Sequence, residues 1–204
     1  DNCEALLPPY LRFVRGIVDS ADLTLNISRE MLQNDPRMAK IRTGLVKRVL
    51  SELKKKRDNE SAEFGTFWDS FGAVLKEGIY EDTAQREALL DLALFNSTEM
   101  AEKTSLASYV ERMKEGQEAI YYMTGEDIDH LARSPQLEGF KDRGIEVLLL
   151  TDPVDDFWVP AVGAFAEKPF KSASKSGTDL DKVKSTETKK EEKAGDKIPP
   201  ADME

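Results

Sequence analysis

The 204-residue sequence predicts an α/β fold: a helical section joined to a small α-β-α sandwich with a short parallel or mixed sheet, then a disordered charged tail. Three observations predict it. Apolar residues recur every three or four positions between Met38 and Leu75, the spacing of amphipathic helices. Ile145-Glu146-Val147-Leu148-Leu149-Leu150 is a near-continuous apolar run, as in a strand covered on both faces. From Lys171 to Glu204 no aromatic residue and no apolar period occurs, so this stretch cannot bury enough surface to offset its ordering entropy.

The elements follow in order. Leu11–Val18 reads as a strand, with Phe13, Ile17 and Val18 β-prone. A polar loop, Asp19–Ser28, leads to a short helix from Arg29 to Gln33, with Ser28 as its N-cap. Asp35-Pro36 opens a long helix in which Met38, Ile41, Leu45, Val49 and Leu53 mark the apolar face. The next helix carries Phe64, Phe67, Trp68, Phe71 and Leu75. Two more helices are expected near Thr83–Phe95 and Ser105–Met113. The period then changes, and Ala119–Met123 reads as a strand. Thr124 to Asp127 opens a short helix to Ala132, and Ser134-Pro135 starts another closed by Arg143-Gly144. After the Ile145–Leu150 strand, Asp152-Pro153 begins a helix through Trp158 to Val162, and a last strand lies near Ala164–Phe170. The order β-α-α-β-α-β predicts helices on the faces of a small sheet.

Composition limits the function. Lys plus Arg number 29 against 39 Asp plus Glu, a net charge of −10, which disfavours wrapping a nucleic-acid backbone. The tail is charge-balanced, so the whole −10 belongs to residues 1–170. A single Cys (Cys3) excludes an internal disulfide, and with a single His (His130) it excludes a Cys/His zinc site. No apolar run has the length of a membrane span and no signal-peptide pattern opens the chain, so a cytoplasmic protein is expected, with no membrane partner. The chain starts without Met and ends in linker-like sequence, as a piece cut from a longer protein would.

Enzyme signals are sparse. Phosphate-loop, dinucleotide-binding and nucleophile-elbow patterns are absent. His130 would have to serve any Ser-His-Asp device, and a surface or capping role suits it better. The pairs Glu126-Asp127 and Asp155-Asp156 stand at predicted helix starts, where negative charge is favourable in any case. Arg37 to Arg57 holds nine basic residues and one acid, Glu52, which reads either as a solvated face or as a dock for an acidic partner. Phe157 and Trp158 are neighbours, about 100° apart on a helix, so both are buried only if that helix is widely covered. Otherwise one of them meets a partner. In Asn26-Ile27-Ser28-Arg29-Glu30-Met31-Leu32-Gln33, Arg29 and Gln33 share a face near a helix N-terminus, a place for an anion or for local salt bridging.

The stretch Leu11–Ser20 followed by Asp22–Gln33 closely resembles a signature of the heat-shock protein 90 chaperones, in their bacterial type. Glu77–Asp82, Ser105-Leu106 with Tyr109-Val110, Gln117–Tyr122, Ser134–Glu138, Gly144–Leu148 and Lys168–Phe170 resemble the family in the same order. The resemblance implies the later part of a middle domain. Residues 1–35 would end its larger α/β unit and carry the catalytic loop, and 36–115 would be a helical connector. Residues 116–170 would form a small α/β unit, and 171–204 a linker toward a C-terminal domain. It implies that Arg29 reaches the γ-phosphate of ATP held with Mg in an N-terminal ATPase domain, assisted by Gln33. It also implies client proteins as partners, with Phe157 and Trp158 as candidate contacts, and a homodimer through the C-terminal domain of the full-length parent. The chain alone is then not an enzyme, and neither nucleotide nor metal is expected on it. The rival reading is a stand-alone scaffold or adaptor that docks an acidic partner on the Arg37–Arg57 helix.

Overall fold

A computed structural model describes residues 6–18 and 36–175. The chain divides into two compact units, Asp1–Ala93 and Leu94–Glu204.

The first unit is helical. A 3-10 turn, Pro9–Leu11, precedes α1 (Pro36–Asn59), α2 (Ser61–Glu81) and α3 (Arg86–Leu92). Helix α1 buries Met38, Val46 and Leu50, while Ile41, Leu45, Val49 and Leu53, expected to mark its apolar face, are only half-buried because the face turned to the core is rotated from theirs; α2 buries Phe64, Trp68, Leu75 and Ile79. Of the aromatic stripe, Phe64 and Trp68 are core, in ring contact at 5.9 Å, whereas Phe67 is half-buried and Phe71 exposed. Asp91 on α3 accepts from Lys54 Nζ at 2.7 Å and pairs with Arg57, which ties α3 to α1.

The strand expected over Leu11–Val18 is not formed. The backbone N–H groups of Leu11 and Val14 close turns onto Pro8 and Leu11, and the rest of the segment runs without strand pairing. A β-prone segment becomes a strand only when a neighbour satisfies its backbone groups. Here Tyr10, Leu11 and Phe13 spend their apolar surface on α2, while Ile17 stays 98% exposed. The short helix expected at Arg29–Gln33 and the charged tail beyond Lys175 lie outside the described residues.

The second unit is an α/β sandwich. Its elements are β1 (Leu94–Ser97), β2 (Thr104–Ser105), α4 (Leu106–Glu111), β3 (Ile120–Thr124), α5 (Ile128–Ala132), α6 (Glu138–Lys141), β4 (Val147–Leu150), α7 (Asp155–Val162), β5 (Ala164–Phe165) and β6 (Lys168–Ser172). The sheet order is β2-β1-β4-β3-β6-β5. Strands β4, β3 and β6 run parallel, and β1, β2 and β5 are added antiparallel, so the sheet is mixed. All four β4 residues are buried, which is why that run carries no alternation. One face packs Tyr121, Met123, Val147 and Leu149 against Leu131, Leu137 and Phe140. The other packs Phe95 and Phe170 around Trp158.

Two expectations change here. The helix expected at Thr83–Phe95 stops at Leu92, and Leu94–Ser97 is a strand between β2 and β4. Its apolar residues suit either state, and the open edge of β4 selects the strand. The last strand, expected as one piece, is a hairpin that turns at Ala166 and Glu167, both with positive φ.

Tyr109 locks α4 onto the sheet. Its buried hydroxyl donates to Glu146 O at 2.6 Å and accepts from Tyr121 N and Gln117 Nε2, each at 3.0 Å. Burial pushes its phenol far above the usual tyrosine range. Arg112 adds a two-pronged bond to the Glu146 carboxylate, 3.0 Å from Nε and 2.8 Å from Nη2.

Candidate functional site

Arg29 and Gln33, the residues with the clearest anion chemistry, lie outside the described residues. Both shoulders of their segment are described. On the upstream side, Tyr10 and Leu11 are wholly buried against α2. Tyr10 Oη donates to Asp82 Oδ2 at 2.7 Å, at the C-cap of α2. Burial, and then the Asp82 carboxylate, push the Tyr10 phenol well above its ordinary value. A Cβ on Gly78 would stand 2.8 Å from the Tyr10 ring and 2.8 Å from Leu89, so only glycine lets Tyr10 sit this close to the helix. Arg12 grips Glu77 with both terminal nitrogens, at 2.5 and 2.9 Å, and this hydrogen bonding holds the Glu77 carboxyl below the usual range. Phe13 meets Phe67 edge-to-face at 5.5 Å and Phe71 with tilted rings at 4.8 Å.

On the downstream side α1 begins at Pro36, and Arg42 lies near enough to Tyr10 to oppose the rise of its pKa. The upstream shoulder is thus fixed at the end of α2 near Asp82. The sequence reading missed Tyr10, Glu77, Gly78 and Asp82 as a clamp. Its trace was the run Glu77-Gly78, where a helical glycine signals a close approach.

The second candidate region is α7. Its adjacent aromatics part company. Trp158 has no exposed surface, and its Nε1 donates to Asp155 Oδ1 at 2.6 Å. Asp155 is itself 1% exposed, and its other oxygen accepts from Asp152 N at 3.0 Å. Trp158 is thus a core residue, held at i,i+3 by a buried carboxylate, and has no surface to offer a partner. Phe157 is 60% exposed, with Pro153, Pro160, Ala161 and Ala164 also exposed in the same stretch. The candidate contact therefore narrows to Phe157.

Among the remaining titratable candidates, Asp127 has a structural role. Asp127 caps α5 by accepting from His130 N at 2.7 Å, and the exposed His130 lies on that short helix. Among the described residues no cluster of His, Cys, Asp and Glu is arranged to hold a metal ion. No helix of the described residues is long and apolar enough to cross a membrane.

The model of the family described as "Hsp90 protein" matches residues 1–200. The chain belongs to the Hsp90 family. This Hsp90 chain is 59% identical to the chaperone protein HtpG of Paramagnetospirillum magneticum over 194 residues, covering 95% of the chain and 31% of that relative. It is 54% identical to HtpG of Roseobacter denitrificans over 183 residues, 90% of the chain and 30% of the relative. With HtpG of Ehrlichia canis the identity is 52% over 199 residues, 96% and 31% of the two chains. The Hsp90 chain thus spans about a third of the length of the curated relatives it matches.

Proposed function

We propose that this chain is the middle-domain segment of an ATP-dependent chaperone of the HtpG type. It assists ATP hydrolysis through Arg29 and Gln33 and contributes to client binding. The observation that carries the reading is the Ser28–Gln33 motif within a chain of this family. Mg-ATP is held by the N-terminal domain of the full-length parent, and this chain brings one guanidinium and one amide to it. The guanidinium of Arg29 donates to the γ-phosphate oxygens as their charge grows, and Gln33 supplies a neutral donor four residues on. The donor set suits phosphate, because a guanidinium fork matches its oxygens.

Phe157 is the client contact, an exposed aromatic on a helix whose other aromatic is fixed in the core. In the parent this segment joins the ATPase domain to a C-terminal domain that dimerises it. The protein works in the cytoplasm on unfolded proteins, without nucleic acid or membrane, and the isolated segment does not turn over ATP.

The test is Arg29→Ala in the full-length parent. Turnover is expected to fall at least tenfold while ATP affinity stays within twofold. Near-normal turnover with intact binding overturns the role.

A further inference from the structure

The sheet edge that follows α7 is held by little. From Pro160 to Phe170 no residue is buried, whereas all four residues of β4 are. Few buried apolar contacts and exposed backbone hydrogen bonds mark the segments of a protein that open first. Pro160 stands inside α7 and lacks the N–H that would bond the carbonyl of Asp156, so the end of that helix is loosened as well. Strand β5 is the outermost of the sheet and only two residues long. It faces β6 at Ala164↔Pro169 and Phe165↔Lys168, and Phe170 N donates to Gly163 O at 2.9 Å.

The turn adds strain at the same place. A two-residue hairpin loop with positive φ at both central positions suits Asn-Gly or Asp-Gly. Here those positions are Ala166, with φ 47°, and Glu167, with φ 61°. In that conformation a Cβ crowds the following carbonyl oxygen. Strain kept in a folded chain is a starting point for a functional reading. The neighbouring strand is anchored differently. Strand β6 pairs with β3 at Phe170, Lys171 and Ser172, the Phe170 ring meets Trp158 edge-to-face at 5.5 Å, and Ala173 beyond it is buried.

We propose that β5 is a strap that leaves β6 while the rest of the sheet stays folded. Its ends are Gly163, whose φ is 73°, and the strained turn. Release relieves both positive φ angles at Ala166 and Glu167. It also bares Phe165 and one edge of β6, directly after the helix whose exposed face carries Phe157, Pro160 and Ala161. The apolar surface open to an unfolded polypeptide is then larger with the strap out than with it in. That use rests on the client reading of Phe157; the opening itself does not, and it is read without any client.

The test is amide hydrogen exchange on the whole 204-residue chain across a series of low urea concentrations. The Phe170 amide reports the strap, and the Tyr121 amide, bonded to the Tyr109 hydroxyl at 3.0 Å, reports the sheet. Phe170 should be protected roughly a hundredfold less than Tyr121. Its protection should also fall less steeply with urea, because a local opening exposes little surface. A lock follows from Ala164→Cys/Pro169→Cys in a Cys3→Ser background. These two positions face each other in a pair that is not hydrogen-bonded, where Cα atoms stand about 4.5 Å apart, within reach of a disulfide. Oxidation should bring the two amides to within about threefold of each other, and reduction should separate them again. Ala166→Asn/Glu167→Gly should raise the protection of Phe170 about fivefold, and this pair carries the test if the lock does not oxidise. Equal protection and equal urea slopes for the two amides, a gap that oxidation leaves unchanged, or no effect of the Asn-Gly pair on Phe170 overturns the proposal.

Discussion

Replacing Trp158 and Phe157 one at a time separates packing from surface chemistry at two consecutive positions. Trp158 is fully buried, with ring contacts to Phe95 at 5.6 Å and Phe170 at 5.5 Å. Truncating such a side chain to alanine costs about 3–5 kcal/mol. It also removes the indole N–H from Asp155, whose carboxylate is 1% exposed and would stand without that donor. A further ~1 kcal/mol or more follows from the unsatisfied oxygen. Trp158→Ala should thus lose about 4 kcal/mol or more, which in a unit of this size lowers Tm by more than about 15 °C. Phe157→Ala removes a side chain that is 60% exposed and should change stability by less than about 0.5 kcal/mol. Urea unfolding followed by circular dichroism reads both. In the full-length parent the order should reverse for function. Phe157→Ala should weaken suppression of client aggregation at normal Tm. A loss below 1 kcal/mol for Trp158→Ala, or equal losses for the two, would refute the assignment of one ring to the core and the other to the surface.

Three other outcomes can be checked on the same chain. Tyr109→Phe deletes a hydroxyl that serves Glu146 O, Tyr121 N and Gln117 Nε2, so urea unfolding should show a loss of about 2–3 kcal/mol despite the conserved ring. Ala166→Asn/Glu167→Gly should raise the urea midpoint by the equivalent of about 1 kcal/mol, since both residues hold positive φ, 47° and 61°, in a two-residue hairpin. Glu77 is held below its ordinary pKa by Arg12, so its contribution is present above the unfolded value of about 4.3 and fades as pH falls through the lower folded value. Glu77→Gln should flatten the acid limb of a stability–pH curve below pH ~4.5, by less than about 1 kcal/mol because the pair is partly exposed. An unchanged acid limb would show that the Arg12–Glu77 contact is inert.

Much of this fold is legible in local pattern. The three-to-four spacing through Met38–Leu75 specifies two helices, because a helix brings such residues to one side, but the most buried positions of the first are Met38, Val46 and Leu50 rather than Ile41, Leu45, Val49 and Leu53. The unbroken Val147–Leu150 run specifies a strand covered twice. Membership of the family is likewise carried by sequence motif.

Other features depend on what lies across space. Leu11–Val18 has the composition of a strand, yet no strand forms there, since its side chains find α2 and its backbone pairs with no strand among the described residues. Leu94–Ser97 continues a helical-looking run and becomes a strand because β4 and β2 offer hydrogen bonds on both sides. The even choice between Phe157 and Trp158 is broken by Phe95 on β1 and Phe170 on β6, with Asp155 of the same helix holding the indole N–H. Periodicity states which residues prefer burial and how they line up along one element. Which of two equally apolar neighbours turns inward, and which apolar run becomes a strand, depends on partners distant in sequence, whose surfaces and hydrogen-bonding groups meet only once the chain has folded.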